Sequence, residues 1–266
     1  MGSLTDFSEL ELLDHIFNAS YTPAATVYLG LSTADPTDDA SGLDEPVGNG
    51  YVRKAITFGA AASRRVTQDG AVTFDEASGA WGTLSHWGVF DAESAGNLLA
   101  CGALAASKSV VGGNTSSVAT TEVYIEFSAG EISDFLANEL LDHMFRNAAY
   151  GAPDTYIGLV TAESADDDDG DTITEVSGGS YARIQVNVNG GAEPTWDLAA
   201  AGLVDNTHII TFATATAAWG TVVGVVICDA LTSGNLLFYD NDMADQLVGD
   251  GDTVTFPAGD LDIQMS

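Results

Sequence analysis

The chain says nearly the same thing twice, at a spacing of about half its length. Residues 4–31 read LTDFSELELLDHIFNASYTPAATVYLGL and residues 132–159 read ISDFLANELLDHMFRNAAYGAPDTYIGL, so Leu12-Leu13-Asp14-His15 returns as Leu140-Leu141-Asp142-His143. Further on, Gly50-Tyr51-Val52-Arg53 is echoed by Ser180-Tyr181-Ala182-Arg183, and Ala80-Trp81-Gly82-Thr83 by Ala218-Trp219-Gly220-Thr221. Gly96-Asn97-Leu98-Leu99 returns as Gly234-Asn235-Leu236-Leu237. The spacing between partners grows from 128 to 138 residues, which places insertions in the acidic loop near 163–172 and in the stretch 187–208. A period of this size is too long for a solenoid unit and typical of a whole domain. We therefore expect two homologous domains over 4–128 and 132–266, joined by a short linker at 129–131.

With 45% apolar residues in 266, each half can bury an ordinary core without staples. Cys101 aligns with Tyr239 and Cys228 with Phe90, so no bridge is repeated and both read as buried free thiols. The N-terminus lacks a basic region followed by an apolar run, and no stretch approaches the ~18 apolar residues of a spanning helix. The expectation is a soluble protein without a membrane partner.

Charge narrows the partners. There are 39 acidic residues against 7 basic ones, a net charge of −32. Residues 1–130 hold 16 acidic and 5 basic, whereas 131–266 hold 23 and 2. Such a surface repels phosphate backbones and excludes direct nucleic-acid binding. Only Lys54 and Lys108 are lysines; lysine scarcity with aspartate excess suits either salty surroundings or many copies crowded together.

Each half opens with a helix of about 11–13 residues. Thr5 and Ser133 are N-caps, Asp6 and Asp134 follow where the dipole favours negative charge, and Asn18 and Asn147 mark the stops. The period then changes to two. Strands are expected at 26–31, 51–58, 72–74, 87–90, 98–103 and 122–127, with counterparts at 155–160, 181–188, 209–212, 222–227, 236–239 and 261–265. The Ala-rich segments 59–63 and 199–202 read equally as loop or as a turn of helix. Short strands between Gly-rich turns indicate a mainly β fold, α+β by count: two tandem antiparallel β-sandwich-like domains, each opened by one N-terminal α-helix.

Few residues invite a chemical role. Asp14-His15 and Asp142-His143 are repeated, but helix neighbours point about 100° apart and do not face each other, so a packed or interfacial histidine is expected. His86 and His208 are unpaired between the repeats. No Gly-x-Ser-x-Gly elbow, zinc spacing, phosphate loop or dinucleotide fingerprint is present, and no enzymatic activity is expected. Asp167, Asp169 and Asp171 are the metal candidates, since aspartates at alternate positions are what a calcium loop uses. With Gly170 at the sixth position, however, Ala165 and Val176 fall where carboxylates belong. A solvated acidic loop is the plainer reading, with at most a loosely bound divalent cation and no cofactor. Tyr51 with Arg53, and Tyr181 with Arg183, share a strand face and suggest a structural or interface ion pair. Arg64-Arg65, absent from the second half, is a candidate docking point for an acidic partner. Trp81 and Trp219, each before a glycine, read as core anchors.

Taken in order, Asn138–His143, Tyr156–Leu159, Gly178–Arg183, Ala217–Thr221, Gly234–Leu237 and Pro257–Leu261 resemble a module of tailed bacteriophages usually labelled phage tail fibre or virion structural protein. The resemblance covers both halves and is closer in the second; the first departs at 118–122, where the Pro-Ala-Gly-Asp turn is missing. It implies a building block on the external surface of the virion, with major capsid or tail proteins as partners, and it brings no catalytic residue. Heptads, collagen triplets and long strand repeats are absent, so a compact accessory piece is expected, a homo-oligomer on a repeating lattice. Capsid decoration is slightly favoured over a tail or fibre component. The alternatives are a receptor- or carbohydrate-binding adhesion module and, behind it, a hydrolase with a carboxylate pair.

Overall fold

A computed structural model describes residues 2–128, 130 and 132–265. The first repeat holds β1 (Gly2–Leu4), α1 (Asp6–Phe17), β2 (Val27–Ser32), β3 (Lys54–Ile56), β4 (Arg65–Thr67), β5 (Val72–Glu76), β6 (Gly82–Phe90), β7 (Leu98–Val110), β8 (Thr115–Val118) and β9 (Tyr124–Glu126). The second holds α2 (Asp134–Arg146), β10 (Thr155–Val160), β11 (Ile184–Val186), β12 (Leu203–Asp205), β13 (Ile210–Thr211), β14 (Gly220–Val222), β15 (Gly224–Cys228), β16 (Leu236–Asp240), β17 (Gln246–Val248), β18 (Thr255–Phe256) and β19 (Asp262–Gln264). The fold is mainly β, with one helix per repeat, as the periodicity predicts. The expected linker 129–131 includes Ala129 and Glu131, which lie outside the described residues.

The caps explain where the helices begin and end. Thr5 and Ser133 are both N-caps with extended backbone, and the Ser133 hydroxyl accepts from the Leu136 N–H at 3.1 Å. Each cap also donates its O–H into the sheet, Thr5 to the Leu98 carbonyl and Ser133 to that of Leu236. One hydroxyl thus satisfies a free helix amide and fixes the helix to its own sheet. Asn18 and Asn147 are the C-caps, Asn147 in the left-handed conformation.

In the first repeat the main sheet runs β3-β2-β6-β7-β1-β9-β4, antiparallel except for the β1–β9 contact. In the second, among the described residues, the corresponding strands separate into β11-β10-β15-β16 and a β12-β19 pair. The smaller pairs are β5-β8, β13-β18 and β14-β17. The expected strands all recur with shifted ends, but β1, β4, β8, β12, β17 and β18 had no expected counterpart. They are two to four residues long, with too few alternating apolar positions to register. The undecided Ala-rich segments are the tips of two hairpins, closed by the bridges Ala62–Arg65 and Ala200–Leu203. The turn residues Ser63 and Arg64 have φ of +51° and +64°, and Ala201 and Gly202 +52° and +76°. Two successive positive φ angles make a type I′ turn, whose twist matches the flanking strands.

Instead of two separate cores, most buried apolar side chains of both repeats form one continuous cluster from Leu4 to Met265, beside a small cluster around Val226 and another around Phe90. The helices join them, because α1 packs on β7 of its own repeat and β12 of the other, while α2 packs on β16 and β4. Both cysteines are buried and free. Among the described residues no helix is long and apolar enough to cross a membrane.

Candidate functional site

Where the helices meet, equivalent residues of the two repeats face each other. His15 and His143, both buried, stack with ring centroids 4.4 Å apart. The contacts around them come in matched sets. Asp14 Oδ1 accepts from the Ala199 N–H at 2.9 Å, and Asp142 Oδ1 from the Ala61 N–H at 2.7 Å. Phe17 lies edge-on to Trp196 at 4.8 Å, and Phe145 lies against Phe58 at 5.6 Å. Asn18 donates to the Asp197 carbonyl, and Arg146 to that of Phe58. Such reciprocity is the mark of an isologous, two-fold interface, formed here within one chain. Each hairpin tip is held under the other repeat's helix.

This arrangement disposes of the Asp-His pair as a dyad, because each aspartate turns to the opposite hairpin rather than to its neighbouring imidazole. His15 Nδ1 accepts from the Tyr21 N–H at 3.0 Å. Burial, aided by the adjacent His143, holds its pKa down at about 4. His143 places Nδ1 2.8 Å from the Ala148 carbonyl and Nε2 3.1 Å from that of Tyr21.

The Tyr-x-Arg pairs are engaged within their own repeats. Tyr51 donates to Glu45 at 2.8 Å and accepts from the Leu31 N–H at 2.7 Å. Arg53 pairs with Glu45, donates to the Ala92 and Ala95 carbonyls, and lies 3.3 Å over the Phe90 ring. In the second repeat Tyr181 donates to Glu175 at 2.6 Å, and Arg183 pairs with Glu175 and donates to the Ala230 and Ser233 carbonyls. These guanidinium groups tie three loops together from the inside. Glycine in the Tyr-x-Gly-Leu motif makes the room: a Cβ on Gly30 would lie 2.6 Å from Glu45, and one on Gly158 2.8 Å from Glu175. Sequence reasoning missed the two glutamates. The signal was there, since each stands six residues before its tyrosine.

Arg64 faces the other repeat. It reaches Asp166 at 2.6 Å and lies 3.9 Å from Asp134 at the start of α2, with its side chain only 8% exposed. Its acidic partner is therefore the second repeat's own loop. Arg65 lies 3.4 Å over the Tyr124 ring and 3.6 Å from Glu126. Of the metal candidates, Asp169 accepts from the backbone N–H groups of Asp171 and Thr172, which hold its carboxyl below the usual range. Among the described residues no group of three or more His, Cys, Asp or Glu is arranged to hold a metal ion. Trp81 and Trp219 are buried, donating from Nε1 to the Asn49 and Gly179 carbonyls at 3.0 Å, each followed by a glycine at φ +91°.

No curated protein matches the chain. The family model described as Podophage GP4 fiber I protein gp80 matches it twice, over residues 3–126 and 131–264. Both the duplication and the likeness to a phage fibre module are thereby shown. The chain belongs to this Gp80 family of phage fibre proteins and carries its module in two tandem copies.

Proposed function

We propose that the chain is a non-enzymatic, rigid building block on the outside of the virion, attached at a fibre or tail and contacting other virion proteins. The observation that carries this reading is the reciprocal seam, where the His15–His143 stack and the Asp14–Ala199 and Asp142–Ala61 hydrogen bonds join the two repeats. A structural part must transmit load without hinging, and a shared core removes the freedom that domains on a linker ordinarily keep. The anionic surface supports an exposed position, because like charge keeps neighbouring particles apart. A homo-oligomer belongs to the same proposal.

Capsid decoration is the second reading, favoured by the compact repeats and the absence of any shaft-forming pattern. Cryo-electron microscopy of whole virions, with this chain marked by a gold-labelled Fab, tests both. A few copies at the tail support the fibre reading, an icosahedral array over the head supports decoration, and absence from the particle overturns both.

A further inference from the structure

After β11 the second repeat holds a loop that the first lacks. Ile56 and Phe58 stand two residues apart, whereas their counterparts Val186 and Trp196 stand ten apart. The added loop folds back on the other repeat's helix, where the Asn189 N–H donates to Asn18 Oδ1 at the end of α1, at 3.0 Å. Asn18 in turn donates to the Asp197 carbonyl. The loop's tip is a turn closed by the Gly191 N–H on the Val188 carbonyl at 2.9 Å, with Asn189 and Gly190 as its central pair and Gly190 at φ +77°. Both central residues are exposed.

An asparagine before glycine is open to attack on its own Cγ by the following backbone nitrogen, because glycine places no Cβ beside that nitrogen. The chain has two such pairs, Asn49-Gly50 and Asn189-Gly190, and the fold treats them differently. Asn49 is left-handed, with φ +52°. In that region ψ is about +47°, which turns the next nitrogen to the side of the residue away from its own Cβ. The Asn49 carboxamide also donates to the Ala80 carbonyl at 2.9 Å, and a Cβ on Gly79 would lie 2.6 Å from its oxygen. Its main-chain carbonyl accepts from the Ser78 N–H and from the Trp81 indole, both at 3.0 Å. Ring closure at Asn49 has to break this whole set. Asn189 is not left-handed, its carboxamide reaches the Trp196 carbonyl only at 3.3 Å, and two glycines follow it.

We propose that Asn189 is a modification site, converting with age to aspartate and isoaspartate through a succinimide. The Gly190 nitrogen bonds to Asn189 Cγ and gives up its proton, while the Cγ–Nδ2 bond breaks and ammonia leaves. Water then opens the ring, its hydroxyl going to a ring carbonyl and its proton to the Gly190 nitrogen. Opening at Cγ yields aspartate; opening at the main-chain carbonyl yields isoaspartate, with the chain running through the former side chain. The net change is amide plus water to acid plus ammonia, and no oxidant or second protein takes part. Either product sets a new carboxylate at the turn that holds Asn18, so the change falls on a contact between the repeats. The inference stands on this turn alone and holds whether the chain sits on a fibre or on the head.

The test incubates the full chain at mildly alkaline pH, folded and in concentrated urea. After digestion, mass spectrometry follows the amide-to-acid gain in the peptides bearing Asn189 and Asn49, and fragmentation separates isoaspartate from aspartate. In the folded chain Asn189 is expected to convert several-fold faster than Asn49, with isoaspartate among the products; in urea the two rates should converge. Asn189→Gln should remove the gain from its peptide and leave that of Asn49 unchanged. No conversion at Asn189, conversion no faster than at Asn49 in the folded chain, or a rate ratio that urea leaves unchanged would each overturn the proposal.

Discussion

The stacked histidines make stability depend on pH in a way that can be worked out beforehand. His15 is 1% exposed, and its pKa falls from 6.5 to about 4 on folding. Because the folded value lies below the unfolded one, the unfolded chain takes up the proton first as pH drops. The contribution is therefore intact above pH 6.5 and is lost progressively down to about pH 4. At ~1.4 kcal/mol per pH unit the loss is about 3 kcal/mol. The wild-type curve alone will hide this. Burial and nearby Asp6 and Asp38 push Glu9 up to about 7, and Asp205 is raised to about 6. For these carboxyls the folded value exceeds the unfolded one, so they add stability as pH falls and oppose His15. Comparison with His15→Asn removes them, since both proteins retain the carboxyls, and asparagine keeps an acceptor near the position of Nδ1. Urea denaturation at intervals from pH 7.5 to 4 should show the wild type losing about 3 kcal/mol relative to the variant. Parallel curves for the two proteins would refute the reasoning, because His15 would then bind protons equally well folded and unfolded.

Glu175→Gln leaves the Arg183 guanidinium, with its side chain 1% exposed, without its counter-charge; a loss of about 3 kcal/mol is expected by urea denaturation at pH 7, and less than about 1 kcal/mol would show the pair to be dispensable. Gly158→Ala places a methyl 2.8 Å from the same glutamate and 3.1 Å from the Tyr181 hydroxyl. It should cost about 1–3 kcal/mol, and the double variant should be non-additive because both changes act on one network. Asp14→Ala removes the acceptor for the Ala199 N–H at a cost of about 1–3 kcal/mol. Its calorimetric transition should remain single because the core is shared; two separate transitions would contradict a continuous core.

The sequence discloses what is local and what is repeated. The N-caps Thr5 and Ser133 stand next to the helices they start, and β10 can be read from its own run of apolar and β-branched residues, five of whose six positions are buried. The Tyr-x-Arg spacing does not mark a shared strand face: each pair stands just before its strand, β3 beginning at Lys54 and β11 at Ile184, and its two side chains meet at a glutamate. What stayed hidden depends on contacts between distant segments. Nothing near Ala61 or Ala199 says that its amide meets an aspartate on the other repeat's helix, and nothing near His15 says that its partner is its own copy. The hairpins at 58–68 and 196–206 were obscured for another reason: alanine carries little pattern, and the turn residues Ser63, Arg64 and Ala201 are not the Asn-Gly pairs that ordinarily mark a type I′ turn.

The reciprocal seam has a consequence for how the molecule can change. A dimer of identical chains carries every substitution twice, on both sides of its axis, and its assembly depends on concentration. Joined in one polypeptide, the same two-fold contact forms at a fixed effective concentration, and each side is free to drift alone. The chain bears the marks: Arg64 reaches Asp166 across one side, with Gly202 at the matching place on the other, and Trp87 of the first sheet has Val225 as its counterpart in the second. Fusion has turned a symmetric object into one with two different ends, and a part with distinguishable ends can be placed on a particle in only one direction.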